Sequence, residues 1–449
     1  MTNRWIGSDL SAGQHEGDTE NCHGMAPDLS GLRQVKPPTP AQASPDHAGR
    51  DRCDSTMITG PRLLVVSPGL LAASKAKGVL DQICTLHEGF FEHVFQLCFF
   101  TPTSQVVPVD GRTTWIEWER NFPCLGKLSA MPDFVRYVLR GVRFVHECGI
   151  SVIRGTYPYF RGLFALLVGR LAKVPVCISL HADYDQRHRL AGPTVVPALL
   201  GWRGPLEALE RWVLQSADRV FAIRQSLEAY AVRHGARPER VRPFPHGVEA
   251  SRFALTPQPE WRRGLVGPHD NLVVFAGRLS RDNYVDDVLA IAARVAGQEP
   301  AVRFLLFGDG EERRRLANEI TRRGLTDHVR LPGSIARDRL AQIRAAADVN
   351  LCLMGGFSLI EAALSGRPVV AYDVEWHREL IRDGETGCLV PEHDVQGAAS
   401  AVLRLLDVPA LADRLGQQAR ELARARHSLD LTSRIKARWY EELLQARTS

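Results

Sequence analysis

"LCLMGGFSLIEAALSGRPVVAYD", residues 351–373, sets two apolar runs on either side of a Gly-Gly pair and a short apolar helix that carries one acid, Glu361. Strand, glycine turn, helix and strand in that order form the unit from which parallel sheets are wound. Working outward, the same alternation recurs along the chain. A first series of strand candidates falls at 62–67, 93–99, 150–153, 175–180 and 219–223. A second falls at 271–276, 302–307, 328–331, 347–353, 369–372 and 388–390, with helices such as 160–172 and 285–297 between strands. Two series imply an α/β chain of two doubly wound, Rossmann-like domains, broken near 244–260 where Pro and turn residues concentrate. Ligands of open parallel sheets sit at the carboxyl ends of the strands, so two such domains would face each other across a cleft.

The bulk numbers agree with that division. At 449 residues the chain is long for one core, and 45% hydrophobic with 24% charged residues is ordinary globular composition. The net charge of +5 comes from scattered Arg, only six of the 56 basic residues being Lys, and no block of like charge calls for nucleic acid. Nine Cys occur without a C-x-x-C pair or metal-ligand spacing, and Cys98, Cys177 and Cys352 sit in strand candidates, which favours a reducing compartment. With no apolar run of about 18 residues and no secretory core at the N-terminus, the expected location is the cytoplasm. Residues 1–58 are polar and rich in Pro, Gly, Asp and Ser, which predicts a disordered tail; Met57 is an alternative start. At the other end Leu431, Ile435, Trp439 and Leu443 recur every four residues, a helical stripe that must bury against something.

Four stretches carry chemistry. In the opening one, Ser358 and Glu361 have the spacing of a capping box, in which each side chain bonds the other residue's backbone N–H. The Gly355-Gly356 pair adds a second reading. It lets the backbone approach a ligand and precedes a helix N-terminus that attracts anions, so Glu361, one turn in, would lie beside the sugar of a bound nucleotide. In "VVFAGRLSRDNYVDDVLAIAARV", 273–295, Gly277 ends a strand and Arg278 is placed to grip a diphosphate, or to pair on the surface with Asp282, Asp286 or Asp287. Gly308-Asp309-Gly310 is half of a dinucleotide fingerprint. Arg313 occupies its third glycine position and no acid ends a strand further on, so a structural turn is expected and no nicotinamide cofactor. His181 follows the apolar strand 175–180, where it is either a hydrogen-bonded loop residue or part of the site. Asp183-Tyr184-Asp185 beside it has the form of an Asp-x-Asp metal motif, but such triplets are common by chance and no metal is expected.

Together these stretches resemble the retaining GT-B glycosyltransferases of family 4. The motifs run in order from Pro61 to the end: "LQSADRVFAI", "FPHGVEASRF", "VVFAGRLSRDNYVDDVLAI", "FLLFGDGEE", "VRLPGSI", "GGFSLIEAALSGRPVVAYD" and "ELIRDGETGCLV". The resemblance implies an acceptor domain at 59–250, a nucleotide-sugar donor domain at 251–427, and a last helix, 428–449, crossing back to the first. It implies that Glu361 binds the donor's ribose and that Arg278 contacts the diphosphate beside Gly277. The backbone of Gly355, Gly356, Phe357, Ser358 and Leu359 would lie along the phosphates and sugar, and His181 near the transferred sugar. It further implies glycosyl transfer with retention, without a metal and with the nucleotide-sugar as co-substrate rather than cofactor.

Two departures stand out. The first Glu of the family's paired-acid pattern is Leu353 here, and the Lys of its Gly-Arg-Leu…Lys motif is Asn283, with Arg281 near enough in sequence to substitute. They keep two other readings open: a non-catalytic nucleotide-sugar-binding relative, and another GT-B activity such as a nucleotide-sugar epimerase. For the acceptor, glycan, glycolipid or small molecule, Arg154, Tyr157 and Tyr159 with Arg161 in "RGTYPYFRG" suit stacking on a sugar, or else start a helix with aromatic packing. Lys75 and Lys77 suit an anionic acceptor. The basic amphipathic stretches 134–145 and 194–204 leave peripheral membrane contact open.

Overall fold

The computed structural model describes residues 60–446 except 68, 77–79, 86–88, 121–129, 186–202 and 254. The expected tail, Met57, Lys77 and nearly all of 194–204 lie outside the described residues. Two sheets build the molecule. The first holds β1 Arg62–Val66, β2 His93–Thr101, β3 Gln105–Pro108, β4 Thr113–Glu119, β5 Val152–Gly155, β6 Val176–Leu180, β7 Arg219–Ala222 and β8 Val241–Pro243. Its order is β3-β4-β2-β1-β5-β6-β7-β8, parallel throughout except for the β3–β4 edge. The second holds β9 Asn271–Ala276, β10 Val302–Phe307, β11 Val329–Gly333, β12 Val349–Leu351, β13 Val369–Tyr372 and β14 Cys388–Val390. It is wholly parallel in the order β11-β10-β9-β12-β13-β14.

Both sheets are buried on two faces, which is why their strands read as continuous apolar runs rather than alternating ones. In β1 all five residues of RLLVV are buried. Each aliphatic side chain so buried contributes about 1.5–3 kcal/mol. Helices Ala130–Glu147, Phe160–Ala172 and Arg203–Ser216 cover one face of the first sheet. In the second sheet Val285–Ala296 and Val395–Asp407 cover one face, and Phe357–Leu364 packs with Pro409–His427 on the other.

Every strand expected from the sequence is present to within a few residues; β3, β4 and β8 are additional. The β3–β4 hairpin had a signal, the Asp110-Gly111 turn between alternating runs. Asp110 accepts backbone N–H bonds from Arg112 at 2.7 Å and Thr113 at 2.6 Å, and β4 buries Trp115 and Trp118 completely.

The chain crosses back at its end. Pro409–His427 packs on the second lobe, and Leu429–Gln445 turns at Ser428 onto the first. The buried seam of this last helix differs from the expected stripe. Thr432, Lys436, Tyr440 and Leu443 are buried, whereas Leu431, Ile435 and Trp439 are only partly so. The reason is Tyr440, which fills a nest of Phe90, Phe91, Phe221 and Phe244 rings at 4.8–6.0 Å and so turns the positions four and eight residues earlier inward.

Candidate active site

Three loops at the carboxyl ends of the second sheet converge. After β9, Gly277 N–H donates to the Phe307 carbonyl at 3.0 Å and Leu279 N–H to the Asp309 carbonyl at 2.9 Å. Gly308 takes φ +131°, and a Cβ on Gly308 or Gly310 would overlap the Gly277 or Leu279 carbonyl oxygen. The Gly-Asp-Gly turn is therefore a seat for the 277–283 loop, the structural role expected of it. Asn283 closes that loop by donating to the Arg278 carbonyl at 2.8 Å. Arg278 is 65% exposed and pairs with Glu311 at 3.0 Å, not with Asp282, Asp286 or Asp287. Arg281 is 74% exposed and pairs with Glu312 at 3.3 Å.

After β12 the chain reaches Gly355 and Gly356. Gly355 is held by His377, a buried residue that sequence reading passed over because nothing marks a lone His in a four-residue helix. Its Nδ1–H donates to the Tyr372 carbonyl at 2.8 Å, so its Nε2 accepts the Gly355 N–H at 3.1 Å. Burial lowers the pKa of this imidazole, in keeping with a neutral ring used as an acceptor. A Cβ on Gly355 would crowd the Leu359 nitrogen at 3.0 Å, while one on Gly356 would meet open space. Helix Phe357–Leu364 starts there, with Gly356 as N-cap and no side-chain cap. The capping box does not form. Ser358 Oγ donates instead to the Ala276 carbonyl at 2.6 Å and accepts from Arg344 at 2.7 Å, tying the helix to the end of β9.

Glu361 is free of the capping role. The residue is 7% exposed, and Oε1 accepts from Arg337 Nε at 2.9 Å and Nη2 at 2.6 Å. Oε2 bonds no other described residue. Arg337 itself lies 5.4 Å over the Phe253 ring, so the pair is set from beneath. First-turn N–H groups without intrahelical partners and a nearly buried carboxylate one turn on make this region suited to an anion joined to a diol. Leu353, where the family's first acid would fall, is fully buried among Val273, Phe275 and Val349.

From the first lobe, His181 stands just past β6 with its Nε2 3.1 Å from Ser179 Oγ. A row of rings leads from it across the molecule: Tyr157 at 6.1 Å on one side, His246 at 6.0 Å on the other, then Phe357 4.4 Å beyond His246. His246 thus links His181 to Phe357, with Tyr157 one ring further from that helix. Burial, then the neighbouring His181, pushes His246 well below the usual histidine range, so this bridging ring is neutral near pH 7. The lobes are joined again where Arg224 pairs with Glu375, which adopts φ +47°, and lies over Trp376 at 5.2 Å.

Other acceptor expectations need correction. Arg154 is 5% exposed because it lies within β5, facing the last helix, where it donates to Tyr440 Oη at 3.2 Å and covers Phe244 at 5.5 Å. Tyr159 is 7% exposed, is the N-cap residue of Phe160–Ala172, and donates to Glu210 at 3.2 Å. Neither presents a surface for a sugar. Lys75 is exposed at the end of helix Leu71–Ala76. In the Asp-x-Asp stretch, Asp183 pairs with Arg233 at 3.8 Å and Asp185 with His234 at 2.8 Å. Among the described residues no three His, Cys, Asp or Glu side chains gather as metal ligands, and no single helix is long and apolar enough to cross a membrane.

Two facing Rossmann-like lobes, with the last helix crossing back, define the GT-B fold of glycosyltransferases. Residues 82–247 match the family described as glycosyl transferase 4-like domain, and residues 258–422 that described as glycosyl transferases group 1. The D-inositol 3-phosphate glycosyltransferase 2 of Catenulispora acidiphila is 32% identical over 339 residues, 71% of this chain and 76% of its own length. The alpha-D-kanosaminyltransferase of Streptomyces kanamyceticus is 26% identical over 321 residues, 68% of this chain and 78% of its own. Among solved structures, sucrose-phosphate synthase of Thermosynechococcus elongatus superposes with TM-score 0.69 at 21% identity, covering 86% of this chain and 100% of that one. Anabaena HepE in complex with UDP and glucose superposes with TM-score 0.67 at 18% identity, covering 85% and 100%. The chain belongs to the group 1 glycosyl transferases.

Proposed function

We propose that this glycosyltransferase takes its sugar from a nucleoside-diphosphate donor held by the second lobe and passes it, with retention and without a metal, to an acceptor bound by the first. The observation that carries the reading is Glu361, fixed through Oε1 by Arg337 with Oε2 left for a ribose hydroxyl. The adjoining N-terminus of Phe357–Leu364 would take the diphosphate, with Arg278 swinging from Glu311 to the same phosphates. Preorganised positive charge of this kind stabilises a departing diphosphate without a metal. Engagement of Asp183 and Asp185 by Arg233 and His234 supports the metal-free reading. His181 and Tyr157 would border the transferred sugar, His181 as an orienting group.

A carbohydrate or lipid-linked acceptor fits this arrangement. Met131, Val135 and Leu139, 55–65% exposed on one helix face beside Arg136 and Arg143, support peripheral contact with an anionic lipid surface from the cytoplasmic side. The test is release of nucleoside diphosphate from UDP-, GDP- and ADP-sugars with acceptor extracts, followed by the anomeric coupling constant of the product. Turnover lost in Glu361→Ala and Arg278→Ala, insensitive to EDTA and giving the donor's own anomer, is expected. An inverted anomer or dependence on Mn²⁺ would refute the corresponding part.

A further inference from the structure

The donor reading leaves a shortage of charge. Asn283 stands where the family's diphosphate Lys would be, and its amide is spent on the Arg278 carbonyl. Arg278 and Arg281 are each already paired with an acid, Glu311 and Glu312. A third cation sits directly behind the helix N-terminus. Arg344, in the last turn of helix Arg337–Ala346, is 1% exposed. Its Nη2 donates to Ser358 Oγ at 2.7 Å and its Nη1 to Asn350 Oδ1 at 3.4 Å, both neutral partners. Its Nε has no acceptor, and among the described residues no carboxylate lies within ion-pairing distance of it. A guanidinium cannot shed its proton, so this charge is permanent. Burying it unpaired is costly unless an opposite charge arrives.

We infer that Arg344 is the positioning residue that supplies this missing charge: an uncompensated buried cation, one side chain behind the Phe357–Leu364 N-terminus, that selects a nucleoside diphosphate over the bare nucleoside. Because the Ser358 hydroxyl proton is committed to the Ala276 carbonyl, Arg344 acts through its field in a water-poor setting. The competing role is mechanical. Asn350 also donates to the Arg344 carbonyl at 3.4 Å and to Ser365 Oγ at 3.3 Å, so Arg344 belongs to a network that joins β12 to two helices.

The inference rests on the donor reading, and the experiment separates the two. Titration calorimetry of the full chain with uridine, UMP and UDP, repeated with guanosine and adenosine series, measures how affinity grows with phosphate. Two variants remove the charge differently: Arg344→Met deletes it, and Asn350→Asp neutralises it in place at nearly constant volume, at the loss of the long amide bonds to the Arg344 carbonyl and Ser365 Oγ. Both are expected to weaken the diphosphate roughly tenfold or more while changing the nucleoside less than about twofold, with Arg344→Lys recovering most of the loss. Asn350→Asp carries the test if Arg344→Met does not fold. Equal losses for nucleoside and diphosphate, or no loss in Asn350→Asp, would overturn the inference while leaving the donor site intact. No binding of any series by the unaltered chain would remove the donor reading and this inference with it.

Discussion

The strand ends of the two lobes treat similar residues in opposite ways. In the second lobe Arg278 lies two residues past β9 and is 65% exposed at the cleft; in the first, Arg154 lies inside β5 and is 5% exposed. Within a strand a side chain stands perpendicular to the sheet and meets whatever covers that face, here the last helix. Past the strand it is free to point along the strand axis toward a ligand. Residue type near a strand end is thus a weak guide, and the one- or two-residue position of the strand's end decides the role.

The largest effect expected from this contrast falls on Glu361. Glu361→Ala should weaken the donor roughly 100-fold, because charge-assisted hydrogen bonds are lost and Arg337 is left half-buried without its partner. Arg337→Ala should cost about tenfold in donor affinity, read by the same titration. Arg154→Ala should do the reverse: lower stability by about 2–4 kcal/mol in denaturant melts while donor affinity stays unchanged. Loss of sugar acceptor binding without loss of stability would restore Arg154 to the acceptor site and break the comparison.

A further effect on stability, on the order of a few kcal/mol, concerns Lys436, which is 3% exposed and whose ammonium lies 5.0 Å from the Phe244 ring. Burial first, then the charge of Arg154, lowers it to about 7. The unfolded chain binds this proton up to about pH 10.4, so between roughly 7 and 10.4 unfolding takes up a proton and stability rises with pH. Lys436→Met should flatten that rise and raise the melting temperature at pH 7; an unchanged pH profile would show the ammonium to be solvated. The smallest effect belongs to the exposed pair Arg278–Glu311, where Arg278→Ala should alter stability by less than about 0.5 kcal/mol and be felt only with a diphosphate present.

Much of this was legible in the sequence. Apolar runs located eleven strands because strands buried on both faces need no period to be seen, and ordered motifs placed Glu361, Arg278 and Gly355 in one region. The capping box was misread, since Ser358 finds stronger partners in Arg344 and the Ala276 carbonyl, neither of which is local. Tertiary partners likewise hid His377, which acts on Gly355 from 22 residues away, and turned Tyr159 from a surface ring into a donor to Glu210. The β3–β4 hairpin is different: its Asp-Gly turn is visible in the sequence, but the antiparallel edge it makes departs from the strand-helix alternation of the rest of the chain. Lys436 shows the limit of periodicity: a four-residue stripe places a helix face to within one position, and that one position exchanged Ile435 for a buried ammonium.

Glu361 as the donor's ribose ligand is tested most directly by thermal unfolding of the full chain against UDP-, GDP- and ADP-sugars, with Glu361→Ala alongside. A donor at 100 times its dissociation constant stabilises by about 2.7 kcal/mol. The expected result is a raised midpoint for one nucleotide class that Glu361→Ala abolishes. An equal shift in Glu361→Ala, or no shift with any donor, would contradict the account and leave Glu361 a structural partner of Arg337.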